Sequence, residues 1–397
     1  MNIIDLLLLP LVVLICLYQA YYVWNAVRVS VYKPRIAGET SGSDEKISIL
    51  IPLYNSGKTI GACLTSILEN NLLYVSNVVV ILDHSTDDSG EIARSYRERF
   101  EMKNVHMTVA SVPAKKAGKV AALLEGRIYI ETENVLLLDA DIILEPRAIE
   151  NLVNFHTAGK NVYSSPLIYP FQESDRHVGI VEHLVCNNRL YRQGILQNVK
   201  KNYGVGNFPG GVQLVNFSSY TALLEDGFVE DLVATYRLLS QGGKVAILPE
   251  VLAYEIERQT ITGLVLQRIR WTLGAIQNTV VSIRVARTRS DWNQKILISS
   301  YHVMWELQHY VITLGMITAI LRRDFLSYTM LPLVLYIIQI SRSAYLVRKI
   351  YRNSIVGIAF HCFYYPVVLT TALVCSFGML LKNRTFFFKT QALFKRD

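Results

Sequence analysis

The chain reads as an α/β domain of Rossmann-like βαβ units flanked by transmembrane helices, and three observations predict this. Short apolar runs bounded by turn residues alternate with helix-like stretches in the first half. Long apolar stretches lie near both ends. The composition, 51% hydrophobic yet 18% charged, is too apolar for an ordinary soluble enzyme and too charged for a pure membrane bundle.

Ile3 to about Trp24 has roughly the ~20 residues that a membrane helix needs, and Tyr21, Tyr22 and Trp24 form an interfacial aromatic group. The start "MNIID" lacks the basic opening of a cleaved signal, and Arg28, Lys33 and Arg35 follow the apolar stretch. Residues 1–26 are therefore expected to be an anchor, with the chain continuing in the cytosol. Residues 27–46, including the Gly/Ser-rich "AGETSGSDEK", read as a linker.

A cytosolic domain is expected over 47–255. The runs "ISILIPLY", "NVVVILD", "VHMTVAS" and "NVLLLDAD" predict strands, and Lys58 to Asn70 and Ser89 to Phe100 predict helices, together a parallel sheet. Asp83, Asp139 and Asp141 then fall at the carboxyl ends of strands, where such sheets place functional groups. Residues 256–292 are expected to be interfacial helices, 293–382 a membrane region with two or three crossings, and 383–397 a basic tail. Of the stretches near Ile296 to Leu321, Phe325 to Leu346 and Ile355 to Leu381, the first carries Glu306 and His309 and so should be partly interfacial or face a protein or aqueous interior. A cytosolic tail requires an even number of crossings after the domain, and three would place it outside.

The net charge of +8 is spread along the chain and concentrated beside apolar stretches, which suits an anionic membrane leaflet rather than nucleic acid. Cys16, Cys63, Cys186, Cys362 and Cys375 show no metal-finger spacing and are expected to be reduced thiols.

Five segments carry chemistry. In "LLLDADII", Asp139 and Asp141 sit two positions apart on one face of a strand end and would repel unless a cation joined them; Mg²⁺ or Mn²⁺ bridging to phosphate is one reading, a solvated strand end the other. Asp83 either accepts hydrogen bonds from a base or ribose or only supports its turn. "AKKAGKVAAL" offers Lys115, Lys116 and Lys119 to phosphate at a helix start, or is a solvated basic turn. In "LLEDGFVEDL", Glu225 and Asp226 precede a turn, and Glu230 and Asp231 open a helix, as first-turn acids or as a general base. In "LVLQRIRWTLGAIQN", helical spacing puts Val265, Ile269, Leu273, Ile276 and Val280 on one apolar stripe. Gln267, Arg270, Trp271, Gly274 and Asn278 fall opposite, with Arg268 at the flank; an interfacial helix with no catalytic part is the alternative.

Taken in order, Asp83, "DAD", "ED" and "QRIRW" resemble the family 2 inverting membrane glycosyltransferases that include cellulose, chitin and hyaluronan synthases, over roughly Ile47 to Asn278. The resemblance implies an A-type nucleotide-sugar fold with flanking transmembrane helices. It implies that Tyr54 of "IPLYN" and Asp83 hold uracil, that Lys119 of "GKVAAL" lies near the phosphates, and that Asp139 and Asp141 hold Mg²⁺ or Mn²⁺ and the donor. It also implies Asp231, beside Glu230, as catalytic base, and Gln267, Arg268, Arg270 and Trp271 as the diphosphate and acceptor set. "GKVAAL" lacks the usual polar residues after the lysine, and "FPGGVQLV" is an unusual form of the loop preceding the acceptor site.

A membrane-bound enzyme transferring sugar from a UDP-linked donor to a growing β-linked polysaccharide or oligosaccharide is therefore expected. A ceramide glucosyltransferase-like enzyme with a lipid acceptor is the alternative. A small membrane region is thin for a complete polymer channel in one subunit, which keeps the lipid acceptor open; an oligomer or an export partner is the further partner considered. An inactive assembly subunit would have no use for Asp139, Asp141 and Asp231 together.

Overall fold

A computed structural model describes residues 3–26, 29, 45–171, 180–225, 227, 229–257, 260–348 and 354–382. Arg28, Lys33 and Arg35, most of the expected linker, Asp226 and the basic tail lie outside the described residues. Among the described residues, contacts divide the chain into a sheet unit, 45–171 with 206–257, and a helical unit, 3–29 with 180–205 and 260–382. Residues 180–205, inside the expected 47–255 span, group with the helices.

The sheet unit holds eight strands: β1 (Ile47–Leu53), β2 (Val75–Leu82), β3 (His106–Ser111), β4 (Asn134–Leu138), β5 (Ile142–Leu144), β6 (Tyr163–Pro170), β7 (Val212–Asn216) and β8 (Ala246–Glu255). They are ordered β3-β2-β1-β4-β7-β6-β8-β5. The four runs legible in sequence form the parallel half, β3-β2-β1-β4, as expected. The other half departs from a parallel sheet, because β7 runs antiparallel to both β4 and β6, and β5 antiparallel to β8. Its strands mix polar and apolar residues, as "VQLVN" does, so the continuous apolar signature of a doubly covered parallel strand is absent.

In β1 and β2 nearly every side chain is buried, and helices Gly57–Leu68 and Lys119–Gly126 supply part of the cover. Each fully buried aliphatic side chain contributes about 1.5–3 kcal/mol, and a single apolar cluster runs from Ile47 through Leu136 to Ala253. The antiparallel neighbour has a consequence for the site. Because Leu138 pairs with Val212, the start of β7 lies at the carboxyl edge of β4, and Asp139 N donates to Gly211 O at 3.0 Å.

In the helical unit, Leu6–Asn25, Tyr328–Val347 and Ile355–Met379 are long and apolar enough to cross a membrane. Their outward faces carry Leu7, Leu17, Val374 and Phe377, while polar contacts lie inside: Gln19 Nε2 donates to Pro332 O at 3.0 Å, and Thr370 Oγ1 to Thr313 Oγ1 at 3.1 Å. That polarity pattern is the one lipid imposes. The helix Trp292–Arg322 buries both Glu306 and His309, so the expected inward-facing placement of these two residues holds. Cys16, Cys63, Cys362 and Cys375 are free thiols.

Candidate active site

The loops after β1 and β2 are laced together. Thr86 N donates to Asn55 Oδ1 at 2.8 Å and Gly57 N to Asp87 Oδ2 at 2.9 Å, while Asp83 N continues the ladder by donating to Leu53 O at 2.8 Å. Although withdrawal from water opposes it, the bonds from Ser89 and Gly57 hold the Asp87 carboxyl below the usual carboxylate range. Half-buried Tyr54 and Asp83, only 3% exposed, therefore sit on a rigid edge.

The carboxylate of Asp83 does more than support its own turn. Gly118 N donates to its Oδ1 at 3.1 Å and its Oδ2 at 3.0 Å, joining the end of β2 to the start of the Lys119 helix. Gly118 has φ +111°, a backbone region that disfavours a side chain, which explains the glycine before the lysine. His84 Nδ1 also lies 3.2 Å from Asp83 Oδ1.

Lys119 is aimed into the site. Its Nζ lies 2.7 Å from Asp139 Oδ1, 3.1 Å from Glu230 Oε1 and 3.5 Å from Gly210 O. Withdrawal from water favours the neutral amine, but the charges of Asp139 and Glu230 outweigh it and hold Lys119 well above its ordinary value. Lys115 and Lys116 are exposed. Asp139 and Asp141 are both close enough to Cys63 that their charges, after burial, push its thiol up. Asp141 is half-buried, and its carbonyl accepts Ile256 N at 2.9 Å.

Glu230 and Asp231 occupy the first turn of the helix Glu230–Ser240, where the macrodipole favours them. Neither is the N-cap, which is Val229 and makes no side-chain bond. Asp231 Oδ1 accepts Leu232 N at 2.8 Å. Burial, then the neighbouring Glu230 charge, push the Asp231 carboxyl up to about 7. A carboxylate with that affinity is a far better proton acceptor at neutral pH than an ordinary aspartate.

The "FPGG" loop explains its own departure. A Cβ on Gly210, whose φ is +90°, would lie 2.9 Å from Asp231 Oδ2. Phe208 N donates to Thr235 Oγ1 at 3.0 Å and Thr235 Oγ1 to Asp231 O at 2.8 Å, so the loop is fastened to the helix that carries Asp231. Gly210→Ala is therefore expected to destabilise the fold by about 1–2 kcal/mol through backbone strain alone. It should also displace the Asp231 carboxylate and lower transfer rate more than donor affinity, read by thermal unfolding and by steady-state kinetics. The doubled glycine was visible in sequence, but its link to Asp231 was not.

The structure thus brings Lys119, Asp139, Glu230 and Asp231 together, and places Asp83 against the turn that precedes Lys119. Asp139 and Asp141, two hard carboxylates at the end of β4, are the residues that could hold a divalent ion such as Mg²⁺ or Mn²⁺. Among the described residues no group of three or more His, Cys, Asp or Glu is assembled for a metal.

In the helical unit, Gln267 to Trp271 lie on the helix Ile261–Arg287. Arg270 is exposed and Gln267 and Trp271 are half-buried. Arg268 departs from the expected flank position: it is 1% exposed, its guanidinium 4.0 Å from the Trp271 ring centre and 5.5 Å from that of Tyr365. Gly274 and Asn278 are buried and Val280 is 57% exposed, so the expected two-faced pattern fails there. The helix is covered by Trp292–Arg322 and Ile355–Lys382 on more than one side, which a single-stripe reading does not anticipate. Arg192, not singled out from sequence, also lies over Trp271 at 5.3 Å. Nothing in the local pattern around Arg192 marks it.

A mixed sheet with acidic groups at its carboxyl edge and apolar helices in the chain is the GT-A-like glycosyltransferase fold. Residues 48–224 match the model of the family described as Glycosyl transferase family 2. The chain is 23% identical over 374 residues to a poly-beta-1,6-N-acetyl-D-glucosamine synthase of Staphylococcus epidermidis, covering 86% of this chain and 85% of that one. A probable glycosyltransferase, YdaM, of Bacillus subtilis is 24% identical over 58% of this chain, which spans about half of it, 55%. Among solved structures, a mannosyltransferase from Pyrobaculum calidifontis in complex with GDP-Man and Mn²⁺ superposes with a TM-score of 0.59 at 15% identity, over 93% of this chain and 99% of that one.

Proposed function

We propose that the protein is a membrane-bound, inverting, metal-dependent glycosyltransferase that moves a sugar from a UDP-linked donor onto a growing β-linked polysaccharide, with its sheet unit in the cytosol. The observation that carries this reading is the Lys119, Asp139, Glu230, Asp231 cluster: one carboxylate made basic by burial and Glu230, beside a cation suited to phosphate. The similarity along most of the chain to a protein named as a polymer synthase supports a saccharide acceptor and makes N-acetylglucosamine the first sugar to test.

In the reaction, Asp231 takes the proton of an acceptor hydroxyl as that oxygen attacks the anomeric carbon. The bond from that carbon to the diphosphate breaks, and UDP leaves with the electron pair. A single displacement inverts the anomeric centre. In the sheet unit Tyr54 and Asp83 are assigned to the uracil and Lys119 to the diphosphate; in the helical unit exposed Arg270 is assigned to phosphate and Gln267 and Trp271 to a sugar, Trp271 as a stacking platform. Arg268 is assigned to hold Trp271 rather than to touch substrate. Asp139 and Asp141 would hold Mg²⁺ or Mn²⁺, which when bound neutralises charge gathering on the leaving diphosphate.

The test is a screen of UDP-sugars with membranes containing the protein, reading UDP release and product size. The expected result is metal-dependent UDP release with UDP-N-acetylglucosamine and a product of many sugars. A single-sugar, solvent-extractable lipid would replace the polymer reading by a glycolipid synthase. No release with any UDP-sugar would defeat the donor assignment.

A further inference from the structure

Lys119 joins the first carboxylate of "DAD" to the first of "ED", and at 2.7 Å its ammonium takes an oxygen of Asp139 that a divalent ion would need. Asp139 thus has two cationic suitors, one of them built into the chain. The ammonium is held there by two acidic groups and by the carbonyl of Gly210, on a helix whose first turn is fixed through Gly118 and Asp83. The head group, however, is carried on a flexible four-carbon stem, so it can change partner while the backbone stays in place.

We propose that Lys119 is an internal counter-ion that couples metal binding to donor binding. Resting on the metal and nucleotide assignments above, the proposal goes beyond them by giving Lys119 two stations. Without nucleotide, Lys119 neutralises Asp139 and repels a dication. The donor diphosphate offers the ammonium a stronger, more highly charged partner, and its transfer to phosphate frees the Asp139 oxygen. Metal and nucleotide then bind as a set, each raising the other's affinity by the same factor. Between Asp139 and Glu230 the ammonium also screens the mutual repulsion of the two carboxylates.

The sign of the prediction is unusual for removal of a phosphate-binding lysine. Mn²⁺ binding to the purified full chain is followed by electron paramagnetic resonance of free Mn²⁺, with and without UDP and with no sugar donor, so that transfer activity is not the readout. Lys119→Met is expected to bind Mn²⁺ without UDP about tenfold more tightly than the unaltered protein, and to lose most of the enhancement that UDP gives. Lys119→Gln, which keeps a donor for Asp139 but no charge, serves as a second variant should the first not fold, and is expected to change in the same direction. Lys119→Arg should retain the coupling. Unchanged or weaker Mn²⁺ binding by the neutral variants would overturn the proposal while leaving the metal assignment intact. Absence of Mn²⁺ binding to the unaltered protein even with UDP would overturn both.

Discussion

Asp231→Asn is expected to abolish sugar transfer, by about 10²–10⁴-fold or more, while UDP binding is spared. Asparagine can still accept the Leu232 N–H, so the helix start should survive, but it cannot take a proton from an acceptor hydroxyl. The same change should raise the apparent Tm. With its value pushed up to about 7, folded Asp231 holds a proton that the unfolded chain releases at ordinary carboxylate values. Its contribution to stability is therefore present at low pH and lost as pH rises through about 7. At neutral pH the ionised carboxylate beside Glu230 opposes folding, and asparagine removes that opposition, by about 2–4 °C for each kcal/mol relieved. The pH dependence of transfer in the unaltered protein should show an ascending limb near 7, where the base loses its proton. Retention of full activity in Asp231→Asn would remove Asp231 from the mechanism. A fall in Tm at neutral pH would instead mean that the carboxylate is structurally needed.

The second large effect falls on the helix of Gln267 to Trp271 and separates two arginines that the sequence places two positions apart. Arg268 is buried against Trp271, and buried Glu306 lies within electrostatic reach of both Arg192 and Arg268. Glu306 accepts the Tyr310 hydroxyl at 2.8 Å and that of Thr272 at 3.3 Å. Arg268→Met removes a cation from this interior and leaves a carboxylate short of compensation, at a cost of about 3–5 kcal/mol. Arg268→Met with Glu306→Gln should recover most of that loss, because the charge left behind is removed as well. Arg270→Met, at an exposed position, should leave thermal unfolding unchanged and depress transfer. Thermal unfolding of the detergent-solubilised protein beside a transfer assay reads all three. Unaltered stability of Arg268→Met, with selective loss of transfer, would show that Arg268 meets substrate directly.

These two residues show where sequence reasoning reached and where it stopped. Asp231 was legible because chemistry fixes its context: an acidic pair opening an amphipathic helix, in order after a strand-end aspartate and a "DAD" run. Its raised proton affinity was not legible: burial by distant segments is its first cause, the neighbouring Glu230 charge and then that of Asp139 add to it, and the Lys119 ammonium opposes it. The two arginines of "QRIRW" were equally visible, and periodicity placed Arg268 on a flank. Periodicity assumes one covered face. A helix covered by Trp292–Arg322 and Ile355–Lys382 has more than one, so burial there follows neighbours rather than spacing.

By itself the sequence determined the parallel half of the sheet, apolar stretches long enough for a membrane near both ends and the acidic residues at strand ends, because each follows from local periodicity and length. Only the tertiary structure decided the antiparallel half, the doubled glycine under Asp231, the lysine bridge from Asp139 to Glu230 and the burial of Arg268. Those depend on which distant segments meet, and Coulomb and desolvation terms act over distances in space that spacing along the chain does not encode.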